Sequence, residues 1–390
     1  MIKLTKLLIF TSLIFDSLGS VTGKFSLIIK LILIGCFTLS LVKKNISRTV
    51  ILISVFLGIS TFYKFLSIGP DQITELSWFF RIILVLLTIE FSKRFLDKNF
   101  IQSYFILLFI ILLFSISLSF IYDFGTPMYK NERIGTRAFY IAGNELSFLL
   151  IVVTTFQLIR LGTNSRFISF ALVSLLSVAI AIMLSTKVAL IGVIIVILIC
   201  LQYLLSRAFS FKNLKINRKQ TFALLPFLII LFWSIPYIFD FVLNQVGLLK
   251  RIEYAINRFD PLTVLMSGRN EKIMDMLYYL INQDIGNIIF GLGEKRMINL
   301  FGQTTESDFF DFLGFYGIFG VLSFLVYIFY LFSQIRSSKP YKRGFILFIL
   351  ISVLGGHVFS SGVAAVSLGL FISNIFHENY NNNWGKTSDN

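Results

Sequence analysis

Residues 100–121 read FIQSYFILLFIILLFSISLSFI, a run without one charged side chain. About 20 mostly apolar residues are what a helix needs to cross the hydrocarbon of a bilayer, where only a complete helix satisfies its own backbone N–H and C=O groups. Comparable runs lie near residues 5–22, 25–42, 48–66, 73–91, 140–160, 167–185, 187–205, 221–239, 309–334, 343–360 and 363–377. The pattern predicts an all-α, polytopic integral membrane protein with about 10–12 transmembrane helices. The last two runs are short enough to be one broken helix, and the pair around Ser185-Thr186-Lys187 can be divided in more than one way. Composition points the same way: 390 residues that are 56% hydrophobic and 14% charged, with a mean hydropathy of +0.83, do not make soluble domains.

A net charge of +15 would suggest nucleic acid as the partner of a soluble protein. Here its distribution excludes that reading. Lys43, Lys44 and Arg48 fill one loop, Lys93, Arg94 and Lys98 another, Arg160 and Arg166 a third, Arg207 to Lys219 a fourth, and Arg336 to Arg343 a fifth. The positive-inside rule makes these alternate loops cytoplasmic and both termini with them. Carboxylates show the opposite bias: Asp71, Glu75, Asp123, Glu132 and those between Asp240 and Asp311 fall on the outer side. The first span has no small-residue cleavage site and is followed at once by others, so we read it as retained.

We divide the chain into N-terminal transmembrane helices (1–239), an extracytoplasmic loop (240–308), C-terminal transmembrane helices (309–377) and a polar cytoplasmic tail (378–390). Loops beyond about 15 residues are uncommon unless functional or disordered, and this one has a pattern. Between Asn270 and Ile281, Ile273, Met274, Leu277, Tyr278 and Ile281 form a stripe opposite Glu271, Lys272 and Asp275, an amphipathic helix suited to a membrane surface. Ser267 and Glu271 mark its start, and Gly286 and Gly291 the turns beyond, so the loop is expected to fold as a small cap. Cys36 and Cys200 lie in apolar spans as packing residues, and His357 and His377 are far from both. No tightly bound metal and no cofactor are expected.

Four polar constellations stand out. Lys130, Glu132, Arg133 and Arg137 lead into Ala142-Gly143-Asn144-Glu145, where Glu145 enters a span and the arginines offer forked donors to phosphate. Ser185-Thr186-Lys187 interrupts two apolar runs, and Lys187 either snorkels or meets an anion. Ser267-Gly268-Arg269 precedes the amphipathic helix, with Gly291-Leu292-Gly293 after it. Glu306-Ser307-Asp308, with Asp311, sits at a membrane mouth, where desolvation suits a carboxylate to take a proton from a sugar hydroxyl, although acids also complement a helix N-terminus. We favour function for Glu306 and Asp308 and not for Asp311. His357 reads as a buried hydrogen-bonding residue, and Lys30 and Arg81 as intramembrane charges that snorkel or pair with carboxylates.

Together these features resemble the O-antigen ligase and Wzy-type polysaccharide polymerase family, which includes capsular and exopolysaccharide polymerases. The resemblance is carried by Arg133 to Glu145, Ser185 to Ala189, Ser267-Gly268-Arg269 through Gly293 to Glu306-Ser307-Asp308, and Tyr316-Gly317-Ile318-Phe319-Gly320. The large loop lacks the histidine of the ligase branch, which favours a polymerase, and many relatives carry arginine where Lys187 stands. The resemblance implies transfer of a glycan from undecaprenyl pyrophosphate to a hydroxyl of another lipid-linked repeat unit. Arg269, Arg133, Arg137 and Lys187 would then contact pyrophosphate, and Glu306 or Asp308, with Glu145 as the competitor, would be the base. Membrane lipids, and a flippase and a chain-length regulator of the same pathway, are the implied partners. The rival readings are an O-antigen-ligase-like transferase, a lipid-linked oligosaccharide flippase or other transporter, and an assembly scaffold. The motifs of the cell-shape glycosyltransferases and of nucleotide-binding proteins are not recognisable.

Overall fold

The computed structural model describes residues 1–42, 47–68, 73–128, 135–140, 142–164, 166–208, 257–335, 339–354 and 356–384. They are almost wholly helical, without a strand. The helices are α1 (Ile2–Ser17), α2 (Gly19–Leu41), α3 (Arg48–Ile68), α4 (Ile73–Phe95), α5 (Lys98–Tyr122), α6 (Gly143–Thr163), α7 (Phe167–Leu184), α8 (Lys187–Ala208), α9 (Pro261–Met266), α10 (Arg269–Ile281), α11 (Ile285–Phe290), α12 (Glu294–Phe301), α13 (Asp308–Gln334), α14 (Lys339–Leu354) and α15 (Ala365–Trp384). Six of them, α3, α5, α6, α7, α8 and α13, are long and apolar enough to cross a membrane. That is fewer than the expected 10–12. α4 has the length but carries Arg81, Glu90, Lys93 and Arg94, and the apolar stretches of α2 and α15, Phe25–Leu41 and Ala365–Ile375, are shorter. The run at 221–239 lies outside the described residues.

α6 is the axis of the bundle, buried along nearly its whole length between α5, α7, α8, α14 and α15, whereas α3 keeps most of its surface exposed. The surface exposes Leu7, Leu31, Leu52, Phe62, Phe114, Leu172 and Leu198, a chemistry that suits lipid and not water.

At the break near residue 185 the sequence and the structure coincide. Ser185 adopts a left-handed conformation (φ 55) at the end of α7. Thr186 then caps α8, its hydroxyl accepting from Ala189 N at 3.1 Å.

Other boundaries move. The run at 343–360 stops being helix at Leu354, which puts His357 in the connection to α15, and α15 continues to Trp384, through the start of the expected tail. The run at 309–334 is one helix with a break: Gly317 has φ 62 and ψ −149. A break frees carbonyls that hydrocarbon cannot solvate, and α3 supplies the donors. The Lys64 ammonium, fully buried, donates to the Phe315 carbonyl, and the Ser60 hydroxyl reaches Phe290 O (2.8 Å) and Tyr316 O (3.4 Å).

The described part of the long loop, residues 257–308, folds onto this break as a cap of four short helices. Asp260 caps α9, accepting from Thr263 N at 3.1 Å, with Pro261 at the first helical position. α10 starts at Arg269, as the loop pattern suggested, but Ser267 ends α9 in the left-handed region and caps nothing, while Gly286 lies inside α11. The buried face of α10 is Arg269, Ile273, Met276 and Leu280; Met274, Tyr278 and Ile281 of the expected stripe point outward. Met276, Leu292 and Met297 pack with Phe312 and Phe315 as the core joining cap and bundle. Contact there is backbone to backbone. A Cβ on Gly291 would stand 2.3 Å from Phe315 O, and one on Gly317 would stand 2.5 Å from Ile288 O.

Candidate functional site

Three of the polar motifs singled out from the sequence converge beneath the cap. Arg269, in the first turn of α10, is 7% exposed and places Nη2 at 2.8 Å from Glu306 Oε2. Its Nη1 donates to the carbonyls of Met266 (3.1 Å) and Leu354 (3.4 Å), so the guanidinium ties the cap to the end of α14. Its Nε donates to no group among the described residues. Glu306 keeps 34% of its side chain exposed and sits at φ 56, a conformation that a non-glycine residue holds only when its surroundings fix it. Asn144 Nδ2, at the start of α6, lies 3.4 Å from the same Glu306 oxygen.

Next to Asn144, Glu145 turns the other way. Its Oε2 accepts from the Ser361 hydroxyl (2.8 Å) and Val363 N (3.0 Å), and Oε1 stands 3.9 Å from Arg81 Nη1 of α4. Arg81 lies over the Trp78 indole, 5.1 Å from its centroid. A cavity of about 260 Å³ opens on this side, with Asp16, Ser26, Lys30, Ser77, Arg81 and Glu145 as its polar lining. Lys30 donates to Asp16 across the α1–α2 hairpin. Lys30 and Arg81 thus both pair with carboxylates.

Asp308, expected as a base, has a different position. It is fully enclosed: Oδ2 accepts from Val358 N and Phe359 N, both at 2.8 Å, and Oδ1 accepts from the Ser360 hydroxyl. That geometry makes it the anchor of the α14–α15 connection, with no surface to offer a substrate. His357 is held in the same knot, its Nδ1 3.7 Å from Asp308 Oδ1 and 3.6 Å from Asp311 Oδ2, with Trp78 edge-on at 4.8 Å. Asp311 Oδ1 accepts from Thr305 N and Oγ1, each at 2.8 Å, which fixes the turn carrying Glu306. Three carboxylates near a membrane mouth therefore divide: two hold backbone and one, Glu306, faces outward.

Two other phosphate-binding candidates make contacts elsewhere. Lys187 reaches Val264 O at 3.4 Å and fastens α9 to the start of α8. Arg137 donates from Nε to Thr126 Oγ1 (3.1 Å) in the 122–140 segment, where Pro127 and Thr136 form an isolated bridge. Arg133, Lys130 and Glu132 lie outside the described residues. Sequence reasoning missed Lys64 and Ser60, because nothing in the pattern of α3 announces a broken helix packed against it. Asn144 was visible only as part of a quoted motif. Among the described residues no group of three or more His, Cys, Asp or Glu is arranged to hold a metal ion. Comparison of the chain with protein-family models finds no match, and comparison with curated proteins finds none either.

Proposed function

We propose that this chain is a polysaccharide polymerase of the bacterial cytoplasmic membrane, joining undecaprenyl-pyrophosphate-linked repeat units at the outer face. The observation that carries the reading is the Arg269–Glu306 contact at 2.8 Å with Asn144 beside it, which gathers three sequence-distant motifs at one mouth under a cap. The reading is supported by the loop charges, which assign the cap to the exterior, and by the apolar bundle surface, which suits a substrate whose headgroup lies at the membrane boundary.

The chemistry asked of the site is a displacement at an anomeric carbon. A hydroxyl oxygen of the acceptor sugar forms a bond to the anomeric carbon of the donor glycan, and the bond from that carbon to the pyrophosphate oxygen breaks. The hydroxyl proton passes to a carboxylate, Glu306 or Glu145, and the electron pair leaves with the lipid pyrophosphate. Arg269 is the group to meet the charge that develops there, since a guanidinium offers paired N–H donors to phosphate oxygens and its Nε has no acceptor among the described residues. Its present bond to Glu306 holds the fork in place until substrate competes for the cation.

The test is a comparison of lipid-linked glycans on gels from cells with and without the protein, together with reconstitution using a purified lipid-linked repeat unit. Polymerisation predicts loss of the ladder with single repeat units held on the outer leaflet. Accumulation on the inner leaflet would replace the reading with a flippase, and an intact ladder would remove both.

A further inference from the structure

The cavity between α1, α2, α4 and the start of α6 stands apart from the Arg269–Glu306 mouth: Asn144 faces one and its neighbour Glu145 lines the other. Its polar lining is balanced, with two carboxylates (Asp16, Glu145), two cations (Lys30, Arg81) and two hydroxyls (Ser26, Ser77). An anion such as pyrophosphate would meet both carboxylates as it approached either cation, and a simple cation would meet both basic groups. A polyol meets no such penalty. Every sugar hydroxyl both donates and accepts, so carboxylate acceptors, guanidinium and ammonium donors and amphoteric hydroxyls satisfy it together. Phe80 adds an aromatic wall of the kind that takes the apolar face of a ring. At about 260 Å³ the cavity is smaller than the roughly 300–1,000 Å³ of pockets for drug-sized ligands, which limits it to about one ring. Leu27 and Leu31, 48% and 40% exposed on the outward face of α2, also line it, so it opens beside the apolar surface.

We propose that this cavity is a binding site for a single sugar ring and that it receives the acceptor sugar. The sugar class follows from the lining; the acceptor role rests on the polymerase reading above. Glu145 then has a definite task. A carboxylate that takes the acceptor proton must lie within hydrogen-bond reach of that hydroxyl, and Glu145 borders this cavity. The ion pairs hold the four charged groups at the wall in the absence of sugar.

The test uses the full chain in lipid nanodiscs free of glycoside detergent, with saturation-transfer NMR from protein to free glucose, galactose, N-acetylglucosamine or rhamnose at millimolar concentration. At least one sugar is expected to receive saturation. Ser77→Phe fills the cavity while leaving both ion pairs in place, and it should abolish the signal with the thermal unfolding midpoint retained. Asp16→Asn should weaken it at least tenfold, and Arg269→Ala should leave it unchanged. Absence of transfer to all four sugars, or transfer that survives Ser77→Phe, overturns the proposal. So does displacement by phosphorylethanolamine of a ligand that the sugars cannot displace, which would assign the cavity to a zwitterionic lipid headgroup. If cells lacking the protein keep their polymer ladder while sugar binding persists, the polymerase reading fails and the sugar site stands.

Discussion

Exchanging Asp308 for asparagine separates a residue that builds the mouth from one that works in it. The carboxylate takes two backbone N–H groups on Oδ2 and the Ser360 hydroxyl on Oδ1, all in a place without solvent. An amide of the same shape has one acceptor. Turned to keep the Val358 and Phe359 amides, it presents its NH2 to Ser360, whose hydroxyl can reverse and accept. What is lost is the charge assistance: hydrogen bonds to ionised groups contribute about 1.5–3 kcal/mol each against about 0.5–1.5 for neutral ones, so two backbone bonds lose about 2 kcal/mol. Loss of the charge facing His357 raises the total to roughly 2–4 kcal/mol, less the desolvation relieved by removing a buried carboxylate. Asp308→Ala leaves three donors without an acceptor, at about 1–3 kcal/mol each, and should cost more. The assay is the thermal unfolding midpoint of the purified protein alongside polymerisation per folded molecule. We expect the midpoint to fall in the order wild type, Asp308→Asn, Asp308→Ala, with the folded Asn variant still active. Glu306→Gln, at a third-exposed position, should show the reverse pattern of a near-normal midpoint with lowered activity, because the Arg269 fork loses its charged partner. An Asp308→Asn variant that melts like the wild type and makes no polymer would refute the reasoning and return Asp308 to the role of base.

Arg269→Ala, at normal protein levels, is expected to cut polymer formation by about 10²–10³, the usual cost of removing one group that stabilises a developing anion; unchanged ladder length and yield would end its pyrophosphate role. Gly317→Ala forces a side chain into a backbone conformation that only glycine adopts readily (φ 62, ψ −149), about 1–3 kcal/mol, and against the Ile288 and Ile289 backbone, about 1–3 more, so the cap should become protease-sensitive well below the wild-type melting temperature. Lys64→Met leaves the Phe315 carbonyl without its ammonium donor, a loss of about 1–3 kcal/mol partly offset by relief of a buried charge; an unfolding midpoint at or above wild type would show that the broken helix does not need it. A reporter fused near Gln283 should read as external, and a cytoplasmic signal there would sink both the topology and the site placement.

What periodicity can carry was legible. The apolar runs located the long helices, the Ser185-Thr186-Lys187 interruption located a boundary, and the loop pattern located α10. Partner choice between helices was not legible, because it depends on which faces meet. Glu145 could be singled out from sequence, but not that Arg81 from another helix would face it; Lys30 likewise gave no hint of Asp16. The Met274–Tyr278–Ile281 part of the α10 stripe looked like the packing face, and the structure turns it outward because Met276 and Leu280 join the core that includes Met297 and Phe312, with Ile273 buried on the same side. Asp308 and Glu306 are two residues apart with similar chemistry, yet one is enclosed by the 357–360 turn and the other is not. That distinction belongs to tertiary structure alone.

The break in α13 also sets how that helix fits a bilayer. Unbroken, Asp308–Gln334 would be about 40 Å long at 1.5 Å per residue, well beyond the roughly 30 Å of a hydrocarbon core, and such an excess forces tilt or local thickening. With the chain redirected at Gly317, the part after the break is about 25 Å, a length that a slightly thin membrane matches without strain. A single glycine thus trims a helix too long for its surroundings, and the trimmed turns become floor for the cap. Bilayer thickness is accordingly a variable to which this protein should respond at Gly317 before any other point.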